Sequence, residues 1–361
     1  MRTLLCILTL LYSIALAAQQ RITLLFAGDL MQHKEQLNAA RTPEGTYDYT
    51  PCFSLLEEQI SRADLAIANL EVPFGGKPYS GYPAFCAPDD YLYAIRQAGF
   101  DILLTANNHA LDRGRKGLER TLALLDSLHL RHLGTYRTRD ERNLHYPLFV
   151  TKSGFRLAFL NYTYGTNGIG VRAPNIVNYI DEAAIRQDIR TAQAWRPDAI
   201  IACMHWGNEY QSLPSPEQRR WADRLLEWGV THVIGAHPHV VQPMELRTDS
   251  LSGERHVVAY SLGNFLSNMS RTHTDGGVLL TLTLCKDTLA HARTRVAECT
   301  YSLVWTGRPA LTGAKNYVLY PADSLAIESL PAAARQRMNR YLAGTRRLLG
   351  QHNLGIAEVR E

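Results

Sequence analysis

Polar residues able to bind a cation recur where an apolar run stops. Asp29 closes ITLLFAGD, Glu71 closes ADLAIANLE, Asn108 follows FDILLTAN, His205 ends DAIIACMH, and His237 and His239 end HVIGAHPH. A carboxylate just beyond a buried strand and a glycine, as at Asp29, is well placed to ligate a metal. Taken alone, such a residue serves equally as a turn or helix cap. In ANNHALD, Asn107, Asn108, His109 and Asp112 crowd together, setting a neutral oxygen ligand beside a titratable acid. One proline separates His237 from His239 and fixes the local backbone angle. In extended geometry that pair can serve one metal or divide between two. Carboxylate, carboxamide and imidazole without thiolate form an oxygen and nitrogen set suited to Mn, Fe, Zn or Mg rather than Cu(I) or iron–sulfur. One or two divalent ions there would activate water, and two would also clamp a phosphoryl or acyl oxygen.

Such a set needs a scaffold whose strand ends meet. The runs above, with HVVAYSLGN, read as strands. Between them FSLLEEQISR, DDYLYAIRQAG, GLERTLALLDSLH, DEAAIRQDIRTAQAW and SPEQRRWADRLLEWG carry apolar residues at helical spacing. Alternation of strand and helix argues α/β, a class in which loops at one edge of the sheet converge on a crevice. Farther on, GGVLLTLTLCKD, TRVAECTYSLVWTG and NYVLYPA read as antiparallel strands, and LPAAARQRMNRYLAGTRRLLG as a basic amphipathic helix. Helices of that kind can bind membrane surfaces, but an Ala- and Leu-rich one with an Arg face is more often an ordinary solvated helix.

The bulk numbers exclude some classes. A hydrophobic share of 46% over 361 residues supports a large core, and one domain with a tail is the favoured division. A net charge of +4, dispersed along the chain, gives no footprint for nucleic acid. MRTLLCILTLLYSIALAAQQ has the layout of a secretory signal peptide cut near Ala18, with no cysteine after it for lipid attachment. No later run reaches the roughly 20 apolar residues of a membrane span. The expected location is the periplasm or cell envelope. Beyond Cys6 stand Cys52, Cys86, Cys203, Cys285 and Cys299, without CxxC spacing. Cys285 and Cys299 could pair across a hairpin, Cys52 with Cys86 less readily, and Cys203 reads as a core thiol.

The ordered series GDLM, NLE, ANNHALD, HWGNEY, GAHPHVVQ and SLGNF, from about Ile22 to Leu284, resembles the CapA-type poly-γ-glutamate capsule-synthesis family within the calcineurin-like metallophosphoesterase superfamily. That resemblance implies an α/β, four-layer α-β-β-α sandwich with the metals at one edge and a short C-terminal β/α extension. Its boundaries would be a signal peptide at 1–18, the metallophosphoesterase-like domain at 21–285, and C-terminal strands and helix packed on it at 286–361. By the same resemblance Asp29 and His239 would bind a first metal and Asn108, His205 and His237 a second, with Glu71 where a bridging Asp usually stands. His109 would be the general acid, oriented by Asp112. Glu209 and Asn264 would support the ligands or touch substrate. Met31 replaces the histidine of the usual Asp-x-His, and His33 is the residue that could stand in for it. The implied function is a metal-dependent hydrolase or transferase acting on a cell-envelope polymer or phosphoester. The alternatives are a non-catalytic partner in envelope polymer assembly or export, and a periplasmic phosphoesterase or nucleotidase-like phosphatase.

Overall fold

The computed structural model describes residues 19–287 and 293–359. The segment read as a signal peptide, 1–18, lies outside them.

The chain lays down part of one sheet, builds a second, then returns to finish the first. Strands β1 (Gln19–Leu30), β2 (Leu65–Leu70), β3 (Ile102–Leu104) and β4 (Arg131–Leu133) run parallel in sheet I. Helices α1 (Lys34–Ala40), α2 (Asp89–Gln97) and α3 (Gly114–Ser127) lie between them in sequence. Sheet II opens with a hairpin of β5 (Leu148–Lys152) and β6 (Phe155–Thr163). Helix α4 (Glu182–Ala194), strand β7 (Ala199–His205), helix α5 (Pro216–Glu227) and strand β8 (His232–Ala236) follow, and β9 (Met244–Thr248) pairs antiparallel with β10 (Arg255–Ala259). Strands β6, β7, β8 and β10 are mutually parallel. The chain then crosses back as β11 (Asn264–Leu266), beside the end of β1, and as the antiparallel strands β12 (Gly276–Asp287), β13 (Arg295–Gly307) and β14 (Val318–Pro321). Sheet I thus has the order β14-β13-β12-β1-β2-β3-β4, and sheet II the order β9-β10-β8-β7-β6-β5.

Alternation along β1 explains the layering. Leu24 and Phe26 point into the core shared with Leu157, Phe159, Ile201 and Val233 of sheet II. Leu25 and Ala27 point the other way, toward Leu92, Ile95, Leu118 and Leu122 of α2 and α3. Ile185, Ile189, Ala222 and Leu225 of α4 and α5 join the core around sheet II. Both faces of each sheet are therefore covered, as parallel strands require, and the result is the four-layer α-β-β-α sandwich expected. A Phe159→Ala truncation at its centre costs about 3–5 kcal/mol.

FSLLEEQISR forms not one helix but two short turns, Thr50–Phe53 and Glu57–Ser61, broken at Leu56 with its φ of −120°. Phe53, Leu56 and Ile60 are still buried, so the apolar spacing was real although the helix is interrupted. Helix α6 (Ala332–His352) places Ala334, Met338, Tyr341, Leu342 and Leu349 in the main core, so the protein itself occupies its apolar face. No helix among the described residues is long and apolar enough to cross a membrane. The five described cysteines are free and buried. Register rules out the hairpin pairing: Cys285 stands opposite Arg295, and Cys299 opposite Leu282.

Candidate metal centre

The parallel strands of both sheets end at one edge, and backbone register sets the site. Asp29 pairs with Asn69 on one side and Asn264 on the other. The close approach depends on Gly28, where a β-carbon would lie 1.9 Å from the Gly263 carbonyl oxygen. With that contact open, the Asp29 N–H donates to the same oxygen at 3.0 Å. Glu71 follows β2, its N–H bonded to the Leu30 carbonyl at 3.1 Å. After β3, Asn107 Nδ2 donates to the Leu70 carbonyl at 2.7 Å and Asn107 Oδ1 accepts from the His109 N–H at 3.2 Å, which fixes the turn carrying Asn108 and His109. His205 is the last residue of β7. His237 and His239 follow β8, and neither is extended: their φ angles are 100° and 59°. Pro238 fixes its own φ and keeps His237 out of the right-handed helical region, and the histidines on either side turn sharply. Non-glycine residues held in that region are characteristic of functional sites.

The ligand atoms converge. Asn69 Nδ2 donates to Asp29 Oδ1 at 2.8 Å and to Glu71 Oε2 at 3.2 Å, and lies 3.3 Å from His205 Nδ1. His205 Nε2 is 2.8 Å from Asn108 Oδ1 and 3.6 Å from Glu71 Oε1. His239 Nε2 is 3.8 Å from that same Glu71 oxygen, while its Nδ1 is 3.1 Å from both Asp29 Oδ2 and Asn264 Oδ1. Three sets of potential ligands have atoms mutually within 4.8 Å: Glu71 with His205 and His237, Asp29 with Glu71 and His239, and Glu209 with His237 and His239. The first two share Glu71. Donors held about 2.0–2.2 Å from one cation stand roughly 3–3.5 Å apart, close to the spacings seen.

The electrostatics agree with a cation. Glu71 Oε1 and His237 Nδ1 are buried without a hydrogen-bond partner, a costly state for isolated polar atoms. The only basic groups in ion-pair range of Asp29 and Glu71 among the described residues are the imidazoles of His205 and His239. Burial, then the Asp29 charge, holds the Glu71 carboxyl well above the usual range. Burial also pushes Asp29 up, but bonding and charge from His239 and bonding from Asn69 outweigh it, leaving it below its ordinary value. Burial, reinforced by neighbouring imidazoles, keeps His205 far below its normal basicity and His237 down at about 3. Neutral imidazoles bind metals directly, and a buried carboxyl such as that of Glu71 gives up its proton to an incoming cation, so the residues present fit a divalent ion.

His109 is next to this cluster, its Nδ1 2.7 Å from Asp112 Oδ2, which also accepts the Phe85 N–H at 2.8 Å. Asn264 Nδ2 donates to the Thr274 carbonyl at 3.1 Å, aiming its oxygen at His239. His33 belongs to none of the three sets. Its Nδ1 is 3.1 Å from Gln36 Oε1 and accepts the Asn268 N–H at 3.3 Å, at the start of α1. Met31 is packed in the helix-side core. Two neighbours were not among the candidate site residues. Asn69, placed inside an apolar strand, is the hydrogen-bond hub of the site. Tyr164, one residue past β6, sets its ring 4.5 Å from that of His237 and stacks on His205 at 6.3 Å. The polar interruption in FRLAFLNYTYG concealed both β6 and the tyrosine beyond it.

Residues 23–269 match the family described as bacterial capsule synthesis protein PGA_cap. The chain belongs to this family. Among relatives of this chain, the capsule biosynthesis protein CapA of Bacillus anthracis is 26% identical over 276 residues, covering 72% of this chain and 63% of the relative. The PGA biosynthesis protein CapA of Bacillus subtilis (strain 168) is 29% identical over 198 residues, covering 54% and 49%. The chain thus spans roughly half to under two thirds of the length of these relatives. Similar solved structures include the NAD nucleotidase of Haemophilus influenzae, with a TM-score of 0.49 at 12% identity over 92% of this chain and 61% of that one. The calcineurin-like phosphoesterase YfkN of Bacillus subtilis gives 0.43 at 13% over 91% and 97%. At that overlap neither likeness bears on activity.

Proposed function

We propose that this chain is an exported, metal-dependent hydrolase or transferase acting on poly-γ-glutamate, another cell-envelope polymer or a phosphoester, in the periplasm or cell envelope. One observation carries the reading: Glu71 Oε1 is buried, unpartnered and set between His205 Nε2 and His239 Nε2 at 3.6 and 3.8 Å. Asp29, Glu71, Asn108, His205, His237 and His239 would hold one or two divalent ions. Bound there, the metal supplies an activated water and neutralises charge on a phosphoryl or acyl oxygen. Asn69 keeps the two carboxylates apart and oriented. Asp112 takes the Nδ1–H of His109, so the opposite ring nitrogen is free to carry a proton to a leaving group. Tyr164, half exposed above His205 and His237, borders the route of a substrate.

The test is metal content of chain purified without chelators, together with hydrolysis of aryl phosphodiesters and γ-glutamyl peptides. Bound metal and turnover lost in His237→Ala and His109→Ala support the reading, and metal-free protein under mild purification sinks it. Met31, turned into the core, favours a second reading in which the chain binds and passes on an envelope polymer without cleaving it. In that case His109→Ala leaves both polymer binding and the envelope phenotype intact.

A further inference from the structure

We propose that Glu209 is a metal ligand that joins His237 and His239 from the solvent side of the site. The inference rests on the metal-dependent reading above and adds a specific ligand to it.

Glu209 lies in the HWGNEY loop after β7, and that loop is fixed in place. Its first N–H, from Trp206, donates to the Ala236 carbonyl at 3.2 Å, and the Tyr210 N–H donates to the Pro238 carbonyl at 2.8 Å. The second bond ends on the residue between His237 and His239. Gln242 Nε2 anchors the far end through the Gln211 carbonyl at 2.8 Å. Gly207 makes the turn at φ 87°, where a side chain would strike the Gln218 amide. The backbone of Glu209 is thereby tied to the His-Pro-His turn, and a carboxylate oxygen of Glu209 lies within 4.8 Å of ligand nitrogens on both His237 and His239.

Two independent features indicate that this carboxylate faces a cation. His237, in the same set, is 2% exposed and holds an Nδ1 with no partner. His239 belongs both to this set and to the one formed with Asp29 and Glu71. Adding Glu209 to His237 and His239 makes a mixed set of one oxygen and two nitrogen donors, of the kind Mn or Zn accepts. Glu209 is exposed, unlike Asp29 and Glu71, so it remains solvated before metal binds. It therefore closes the cluster of His237 and His239 from the solvent side.

The experiment is Mn²⁺ titration by calorimetry into the chelator-stripped full chain, with Mn²⁺ electron paramagnetic resonance on the loaded protein. Glu209→Gln is compared with wild type and with Glu217→Gln, an exposed glutamate on α5. Equal melting temperatures in EDTA establish that each variant folds. The expected result is loss of one Mn²⁺ equivalent, or at least a tenfold weaker affinity, in Glu209→Gln alone, with a changed resonance spectrum. Wild-type Mn²⁺ binding in Glu209→Gln overturns the assignment while leaving the metal centre standing. Failure of the wild-type chain to bind Mn²⁺ overturns both.

Discussion

Apart from Glu209, sheet I brings oxygen to the site and sheet II brings nitrogen. Asp29, Asn69 and Glu71 come from β1, β2 and the turn after it, Asn108 from the turn after β3, and Asn264 from β11, all in the sheet whose strands hydrogen-bond side by side at this edge. His205, His237 and His239 come from the ends of β7 and β8 in the other sheet. Each half is poorly satisfied without its partner. Asp29 and Glu71 have no Lys or Arg in ion-pair range among the described residues, and burial holds His205 and His237 of sheet II neutral. The centre therefore exists only when the sandwich closes, and a cation would join its two halves.

If that division holds, removing a sheet II nitrogen has the largest effect. In His205→Ala, metal content measured by plasma mass spectrometry should fall to background, and any hydrolysis with it. Full metal retention would show that the oxygen side suffices, which breaks the comparison. Next is His109→Ala, which belongs to sheet I but is assigned a proton rather than a metal. Metal content should stay at the wild-type level while kcat falls by about 100- to 10,000-fold. Loss of metal in this variant would move His109 into the ligand set.

This division shows what the sequence could and could not reveal. Asp29, Glu71, Asn108, His205, His237 and His239 were legible because each interrupts an apolar run at its end, where a buried strand emerges. The α/β alternation and the antiparallel C-terminal strands were legible from the same periodicity. Asn69 was not, because a single amide inside ADLAIANLE differs little from a strand residue with a local partner, and only the register of β1 against β2 sets it between two carboxylates. The backbone of His-Pro-His was misread for a related reason: proline constrains its own φ, whereas the turn is imposed by the loop from Trp206 to Tyr210 packed across it. Tyr164 depended on β6, whose NYT ending lacks the apolar continuity of the other strands.

Glu71→Gln sharpens the comparison from the oxygen side. Without metal, Glu71 titrates above its unfolded value because it is buried beside Asp29. At neutral pH the unfolded chain carries that charge freely, whereas the folded chain resists it, so wild type loses stability as pH rises above the ordinary carboxylate range. In EDTA at pH 7 the neutral glutamine should therefore stabilise the fold, by about 1–3 kcal/mol in urea unfolding. The gain should shrink toward pH 4. With saturating Mn²⁺ the order should reverse, because the charge then has its partner. A variant less stable than wild type in EDTA would mean that the apo site already satisfies Glu71.

The smallest effect tests whether a depressed imidazole in sheet II needs the metal centre at all. His232 begins β8, at the opposite end of the strand from His237, with no carboxylate in ion-pair range among the described residues. Burial, then the charge of His256, holds its pKa at about 3, against an ordinary 6.5. A structural reason is visible: His232 Nδ1 accepts the Val257 N–H at 3.1 Å, a bond that protonation would break. Above pH 6.5 the ring is neutral in both states and its contribution is complete. Below that, the unfolded chain takes up the proton first, so stability falls with pH until the folded ring titrates near 3. Between pH 6.5 and 5.5 the loss should be about 1 kcal/mol. His232→Asn keeps an acceptor for Val257 but cannot titrate, so its urea midpoint in EDTA should fall less than wild type's over that interval. Parallel pH profiles for the two proteins would show that His232 contributes nothing to the acid sensitivity of the fold, which would then have to come from groups elsewhere, such as His205 and His237 at the other end of the sheet.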